Sequence, residues 1–262
     1  MSALLGAVIG TVMGLTGAGG GIFAIPALVM VLGIEQSSAG SIALLAVGAA
    51  ASLGAAQGLR QGIVRYKAAL LLAAVGSASA PVGLYFAQRL SPQWLSLLFS
   101  AVMLLVATRM WRSAKKPAEL EITSVSKVCT ISPDTGRFQW NSRTFFAFSL
   151  VGLVSGLFTG MLGVGGGFII VPALAYLSNL RMQSIVATSL LIIALLSAVT
   201  VGIAFSKGLQ ITPTIASFVV AAIGGMLVGR SLSSCIPQAR LQQLFAVACV
   251  AVAGLMATRF FY

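Results

Sequence analysis

The chain has 262 residues, of which 58% are hydrophobic and only 8% are charged, and its mean hydropathy is +1.04. Soluble globular domains carry about a quarter charged residues, so this composition excludes a soluble domain and indicates a chain whose solvent is mostly lipid. The 16 lysines and arginines far outnumber the 4 acidic residues, and because they lie in the polar connections we interpret them as topology signals, not as a surface for nucleic acid.

Eight apolar segments follow one another along the chain. The first four occupy residues 3–33, 38–59, 66–87 and 93–108, and the last four occupy 144–178, 184–205, 212–234 and 239–258. About 20 apolar residues are needed to cross roughly 30 Å of hydrocarbon. We therefore predict an all-α integral membrane protein with about eight transmembrane segments.

The two halves of the chain repeat one pattern at an offset of 146 residues. This offset places Gly6, Gly10, Gly14, Gly17, Gly19, Gly20, Gly21 and Pro26 on Gly152, Gly156, Gly160, Gly163, Gly165, Gly166, Gly167 and Pro172. We predict a duplication, with one four-segment membrane repeat at 1–108 and a homologous one at 144–262. The glycines at four-residue spacing at the start of each repeat are typical of closely packed membrane helices.

One long polar connection, residues 109–143, separates the repeats. Its basic residues predict a cytoplasmic location. Polar and apolar residues alternate from 122 to 140 around a turn that contains Pro133 and Gly136. This pattern predicts a small β-hairpin, with a flexible linker as the alternative.

A run of glycines interrupts the first apolar segment of each half, at residues 17–21 and 163–167. Glycine costs about 1 kcal/mol per residue in a helix relative to alanine, so each run should break the helix. Proline is tolerated in the first turn of a helix, and Pro26 and Pro172 follow the two runs closely. We therefore predict two broken segments that each restart after the glycines.

A restarted helix presents unpaired N–H groups and the positive end of its dipole to the protein interior, which is the arrangement that binds anions. Paired broken helices in two repeats mark the binding site of many transporters. The predicted substrate site adds nearby hydroxyls to the glycine runs: Thr16, Gly17, Gly19, Gly20, Gly21, Pro26, Ser41, Gly163, Gly165, Gly166, Gly167, Pro172, Thr188 and Ser189. The structural alternative for the two runs is close helix packing.

The residue types that most enzymes and metal sites need are scarce. The chain has no histidine and only three cysteines, so no metal site and no cofactor is predicted. The four acids lie at a segment end or in the central connection: Glu35, Glu119, Glu121 and Asp134. Without a carboxylate inside a span, we expect neither an enzyme nor a proton relay. For Arg230 we favour a side chain that reaches to the interface over a role in the pathway.

Two topologies fit the segments. If every segment crosses the membrane, the two repeats are parallel, whereas if the first segment of each half dips in and returns, the repeats are inverted. The basic residues do not decide between these alternatives.

The glycine-rich sequences GLTGAGGGIFAIPAL at 14–28 and GMLGVGGGFIIVPAL at 160–174 resemble those of the TauE/SafE sulfite exporter family, also called the toluene-sulfonate uptake permease family. The stretch Ala187-Thr188-Ser189-Leu190 resembles the hydroxyl motif of that family, and its first-half counterpart, residues 40–43, has one hydroxyl fewer. The resemblance implies a multi-pass transporter of the bacterial inner membrane that exports sulfur-containing anions such as sulfite or organosulfonates.

We therefore expect a transporter whose partners are a small anionic substrate and the lipid bilayer, without nucleic acid. An anion channel-like facilitator and a non-transporting membrane subunit are the alternatives. The sequence leaves the oligomeric state open, a homodimer included.

Overall fold

A computed structural model of the chain describes residues 2–16, 20–31, 33, 36–114, 141–178, 180, 182–206, 212–233, 243, 246, 247, 249–251, 253 and 254. These residues form nine helices and no strand: α1 (Ser2–Thr16), α2 (Gly20–Val31), α3 (Gln36–Arg60), α4 (Tyr66–Arg89), α5 (Pro92–Ala114), α6 (Ser142–Leu162), α7 (Gly167–Leu177), α8 (Met182–Ser206) and α9 (Pro213–Ser233). Further helical residues lie between 243 and 254. The predicted β-hairpin falls outside the described residues.

Five of the described helices are long and apolar enough to cross a membrane: Ala39–Arg60, Tyr66–Ala87, Ser142–Leu162, Gln183–Ser206 and Pro213–Leu232. Shorter apolar helices cover Ser2–Leu15, Gln93–Thr108 and Gly167–Leu177. The described part of the chain is therefore all-helical, and the chain is a multi-pass membrane protein, as its composition predicted. The division into eight segments stays a prediction.

Helices α3 and α8 form the centre of the fold and are the most buried of the five spans. When the two halves of the sequence are aligned at an offset of 146 residues, α3 corresponds to α8 over its whole length. Three glycines of α3 meet α8 in reverse order: Gly48 lies on Ser197, Gly54 on Leu190 and Gly58 on Ala187. The two helices are therefore antiparallel, which is the relation expected of inverted repeats and not of parallel ones.

Each half of the chain packs its first helix against the other half. Three glycines of α1 lie on α9 in the same order along both helices: Gly6 on Phe218, Gly10 on Ala222 and Gly14 on Met226. Three glycines of α6 lie on α4 in the same way: Gly152 on Leu72, Gly156 on Gly76 and Gly160 on Ala80. Both pairs are therefore parallel and so close that backbone touches backbone, which confirms the packing role predicted for these glycines.

A tight turn joins α3 to α4. Gly62 has a φ of +68°, its N–H donates to the Leu59 carbonyl at 3.0 Å, and the N–H of Ile63 donates to the Gly58 carbonyl at 3.2 Å. This pair of bonds is a Schellman motif, which ends a helix and satisfies its last carbonyls. It allows the chain to reverse direction within a few residues.

After this turn, α4 runs beside α8 and in the same direction. The Arg65 N–H donates to Thr188 Oγ1 at 3.1 Å, and a methyl group added at Gly76 would lie 2.9 Å from Leu196 Cδ2. Helix α9 follows α8 in the chain, and its last turns contact Gly54 in the second half of α3. Helices α1, α3 and α9 therefore run one way, and α4, α6 and α8 run the other.

Two adjacent glycines of α9 test this packing. A methyl group at Gly225 would overlap the Ala7 carbonyl of α1, whereas nothing lies within 4 Å of one at Gly224. We predict that Gly225→Ala lowers the stability by about 1–3 kcal/mol, the usual effect of overpacking. Gly224→Ala should leave it unchanged or slightly higher. Thermal unfolding in detergent, followed by size-exclusion chromatography, measures both, and equal effects would contradict the α1–α9 contact.

Candidate functional site

The glycine run of the second half is a break between two helices. Helix α6 ends at Leu162, and its C-cap Gly163 has a φ of +67° and donates its N–H to the Thr159 carbonyl at 2.8 Å. Gly165 and Gly166 also have positive φ, at +79° and +66°. A residue with a Cβ is strained in this left-handed region, so the sequence of the break requires glycine.

Helix α7 begins directly after this break and has unpaired donors in its first turn. The Gly166 carbonyl accepts from the N–H groups of Ile169 at 3.0 Å and Ile170 at 3.1 Å. The N–H groups of Gly167 and Phe168 find no acceptor within the described residues. This end of α7 therefore carries free donors and the positive end of the helix dipole.

Two hydroxyls of α6 border the start of α7. Ser155 Oγ donates to the Gly166 carbonyl at 3.3 Å, and a methyl group added at Gly166 would lie 2.7 Å from Thr159 Oγ1 and overlap Ser155 Oγ. Both side chains are fully buried. Neither residue was predicted from the sequence, although both lie beside Gly156 and Gly160 in the same small-residue stripe.

The break is enclosed by the central helix pair. Residues 163–168 are all buried. A methyl group at Gly165 would lie 3.2 Å from Ile193 Cγ2 of α8 and 3.7 Å from Leu44 Cδ2 and Val47 Cγ1 of α3. Non-helical backbone is tolerated at membrane depth only where protein or a water-filled cavity surrounds it. Here the antiparallel pair α3 and α8 provides that wall.

The two glycine runs meet at this wall. A methyl group at Gly21, in the first turn of α2, would lie 2.6 Å from the Val164 carbonyl oxygen and 3.4 Å from both methyl groups of Val47. Val47 thus contacts both runs. The start of α2 and the break before α7 are therefore neighbours, although 143 residues separate Gly21 from Val164.

The remaining predicted site residues are distributed as follows. Gly17 and Gly19 lie outside the described residues, Thr16 ends α1, and Gly20 begins α2. Pro26 and Pro172 lie inside α2 and α7. Ser41 is half-buried and follows Gly40, whose added methyl group would lie 3.5 Å from the Gly163 Cα.

The hydroxyls of α8 make other contacts. Ser189 Oγ donates to the Val186 carbonyl of its own helix at 2.8 Å. Thr188 Oγ1 accepts from the backbone of Arg65. The structure thus joins Thr188 to the start of α4, about one and a half helical turns from Ile193 at the glycine break.

The chain matches a known protein family over almost its whole length. The profile of the family described as "Sulfite exporter TauE/SafE" matches residues 2–256. The chain belongs to that family. The TauE/SafE match covers both glycine runs and the helices α3 and α8.

Curated relatives of this TauE/SafE chain are bacterial. A "Probable membrane transporter protein" of Xylella fastidiosa (strain 9a5c) is 28% identical over 252 residues, which cover 95% of this chain and 90% of that protein. The "Probable membrane transporter protein YunE" of Bacillus subtilis (strain 168) is 27% identical over 202 residues, which cover 74% of this chain and 73% of that protein. No solved structure matches the chain.

Alanine substitutions at Gly166 and Gly33 separate two effects on transport: the strain of the backbone and the displacement of neighbouring side chains. Both have positive φ, so alanine strains either position by about 1–2 kcal/mol. Only at Gly166 would the new methyl group displace Ser155 and Thr159, since nothing lies within 4 Å of one at Gly33. We predict that Gly166→Ala lowers anion flux in proteoliposomes at least about tenfold, whereas Gly33→Ala retains most of it. Equal losses would show that backbone strain alone explains the effect.

Proposed function

We propose that this protein is a secondary transporter that exports a small sulfur-containing anion, such as sulfite or an organosulfonate, and binds it between the starts of α2 and α7. The observation that carries the proposal is the contact between Gly21 and the backbone of Val164, which brings two helix starts from opposite halves together. The family description and the transporter names of the relatives support the same class of function.

Electrostatics favours an anion at this position. Each helix start carries about half a positive elementary charge, and two neighbouring starts attract one anion more strongly than either does alone. All four acids of the chain lie outside the described residues, so no described carboxylate opposes this field. The glycines keep side chains away, which allows an oxyanion to approach the N–H groups of Gly167 and Phe168 directly.

The architecture of the proposal is an inverted repeat of eight segments. In each half a broken first segment, α1 with α2 or α6 with α7, precedes three further segments. The antiparallel pair α3 and α8 supports this inverted arrangement, as does the exchange of α1 and α6 between the halves. In such transporters the substrate lies at the interface of the repeats, and here the start of α2 meets the break before α7 at the contact between the two halves.

The distribution of basic residues orients the protein in a bacterial inner membrane. Helix directions place one group of basic residues at the end of the bundle where α3 ends and α4 begins: Arg60, Arg65, Lys67, Arg143 and Arg230. Among the described residues, the opposite end has Arg89, at the end of α4. By the positive-inside rule, the first end is cytoplasmic, and the polar linker that precedes α6 belongs to the same side.

No carboxylate or histidine lies within a predicted span, so a relay of intramembrane acids does not supply the driving force. The substrate gradient and the membrane potential, or a proton carried by the substrate itself, drive the movement. For an anion with a net charge, export is then favoured by the usual inside-negative potential.

Flux across a synthetic bilayer tests the proposal. We predict that the purified protein moves labelled sulfite into proteoliposomes and that an imposed potential changes the rate. Gly21→Val should abolish the flux because its side chain would collide with the Val164 carbonyl, whereas Gly202→Val should preserve it because nothing lies within 4 Å of a methyl group there. Equal flux through both variants would exclude the glycine pathway, and turnover far above that of a carrier would favour the channel alternative.

Labelling of single cysteines tests the orientation. Arg60 and Arg89 are both exposed, at opposite ends of the bundle. In a variant without native cysteines, we predict that Arg89→Cys reacts with a membrane-impermeant maleimide in intact spheroplasts. Arg60→Cys should react only after permeabilisation. The reverse pattern would contradict the assignment of the cytoplasmic face.

A further inference from the structure

We infer that Arg65 and Thr188 form a second oxyanion site at the cytoplasmic entrance, an inference that rests on the proposed function and orientation. This site holds the substrate before it reaches the glycine runs. Arg65 lies in the turn between α3 and α4 and is the N-cap residue of α4. The site would take a small oxyanion, because guanidinium and hydroxyl donors match oxygen atoms that carry negative charge.

Arg65 differs from the exposed basic residues at the same end of the bundle. Arg60 and Lys67 are exposed, whereas Arg65 is partly buried, and its Nε is buried without a hydrogen-bond partner. A topology signal needs only a charge at the interface, and a long side chain normally extends to water. A guanidinium that keeps a donor buried and unpaired instead suggests a ligand that supplies the missing acceptor.

The backbone of the turn fixes Arg65 against the other half of the protein. Its N–H donates to Thr188 Oγ1 at 3.1 Å, and Thr188 is fully buried. One residue before it, Val64 packs at the same junction: a methyl group at Gly58 would lie 2.9 Å from both Val64 Cγ2 and Ala187 Cβ. The backbone at Arg65 is therefore held in place by α3 and α8, the two helices that enclose the break before α7.

A second arginine lies one turn of α3 further into the bundle. Arg230 Nη1 of α9 donates to the Gly54 carbonyl of α3 at 3.0 Å. Gly54 and Gly58 are four residues apart and so lie on the same face of the helix. The two arginines therefore follow α3 from its cytoplasmic end toward the protein interior, an arrangement that raises the local concentration of anions.

In the sequence, the positions that correspond to these three polar residues in the opposite repeat are all aliphatic. The offset of 146 residues places Ile211 at the position of Arg65, Ile42 at that of Thr188 and Leu84 at that of Arg230. Close packing alone would not require polar residues at one entrance and aliphatic residues at the other. This difference in sequence favours an anion site at the cytoplasmic entrance, which suits a protein that collects its substrate from the cytoplasm.

Sided kinetics test this site. We predict that Arg65→Gln raises the half-saturating sulfite concentration at the cytoplasmic face about tenfold, as expected for the loss of a charge-assisted hydrogen bond. At the other face, the half-saturating concentration of Arg65→Gln should stay within about twofold of the native value. Inside-out and right-side-out membrane vesicles with radiolabelled sulfite give the two values. Thr188→Val should shift the cytoplasmic value in the same direction, and Arg65→Lys should restore part of the loss.

Arg60→Gln is the matched control, because it removes one positive charge from the same end of the protein at an exposed position. If Arg60→Gln and Arg65→Gln have the same effect, the charge acts through the surface potential and the site is refuted. An equal shift at both faces would likewise refute it, since a structural defect does not distinguish the two sides.

Ligand-dependent unfolding in detergent separates this inference from the proposed transport. Sulfite should raise the melting temperature of the native protein, and less so that of Arg65→Gln, even if no flux is found. Equal stabilisation of both would refute the Arg65 site while leaving the glycine site intact. If Glu119→Gln or Glu121→Gln destabilises the native protein but not Arg65→Gln, a linker carboxylate is the partner of Arg65, and the site is also refuted.

Discussion

Non-helical backbone can remain inside a membrane protein only where other protein groups surround it, and the fold depends on how α3 and α8 meet this constraint. Their antiparallel contact forms a wall against which the break before α7 is fully buried. At this wall the lack of a side chain at Gly40 lets the backbone of Gly163 approach closely. The side chain of Val47 contacts both glycine runs. The start of α7 is therefore positioned by its packing against two membrane spans.

The first helix of each half packs closely against a helix of the other half. Lipid tails are as apolar as leucine, so helices in a membrane associate through close packing more than through the hydrophobic effect. The contacts of α1 with α9 and of α6 with α4 follow this rule, with glycine opposite backbone along each pair. Each of these helix pairs joins the first half of the chain to the second half. The two pairs therefore fasten the halves to each other around α3 and α8. Ser155 and Thr159 reach the start of α7 from one of these packed helices, so the same packing that joins the halves also lines the site.

Much of this account could be predicted from the sequence, because glycine and proline leave local evidence. The glycine stripes that begin each half do pack helices, and the run after Leu162 does fall between two helices. The partners of those glycines could not be predicted, since they come from helices more than 70 residues away. For the same reason the positions of Ser155 and Thr159 at the site were not predicted. No sequence pattern predicts the hydrogen bond between Arg65 and Thr188. The direction of α8 relative to α3 also required the three-dimensional contacts, because basic residues alone fit both topologies.

The central claim is that an oxyanion binds where the starts of α2 and α7 meet. Selenite is a pyramidal oxyanion like sulfite, and selenium scatters X-rays anomalously, so a crystal of the protein grown with selenite would locate the anion directly. We predict an anomalous selenium peak next to Gly21, with selenite oxygens within hydrogen-bonding distance of the N–H groups of Gly167 and Phe168. Anomalous density elsewhere, with none between these two helix starts, would contradict the account.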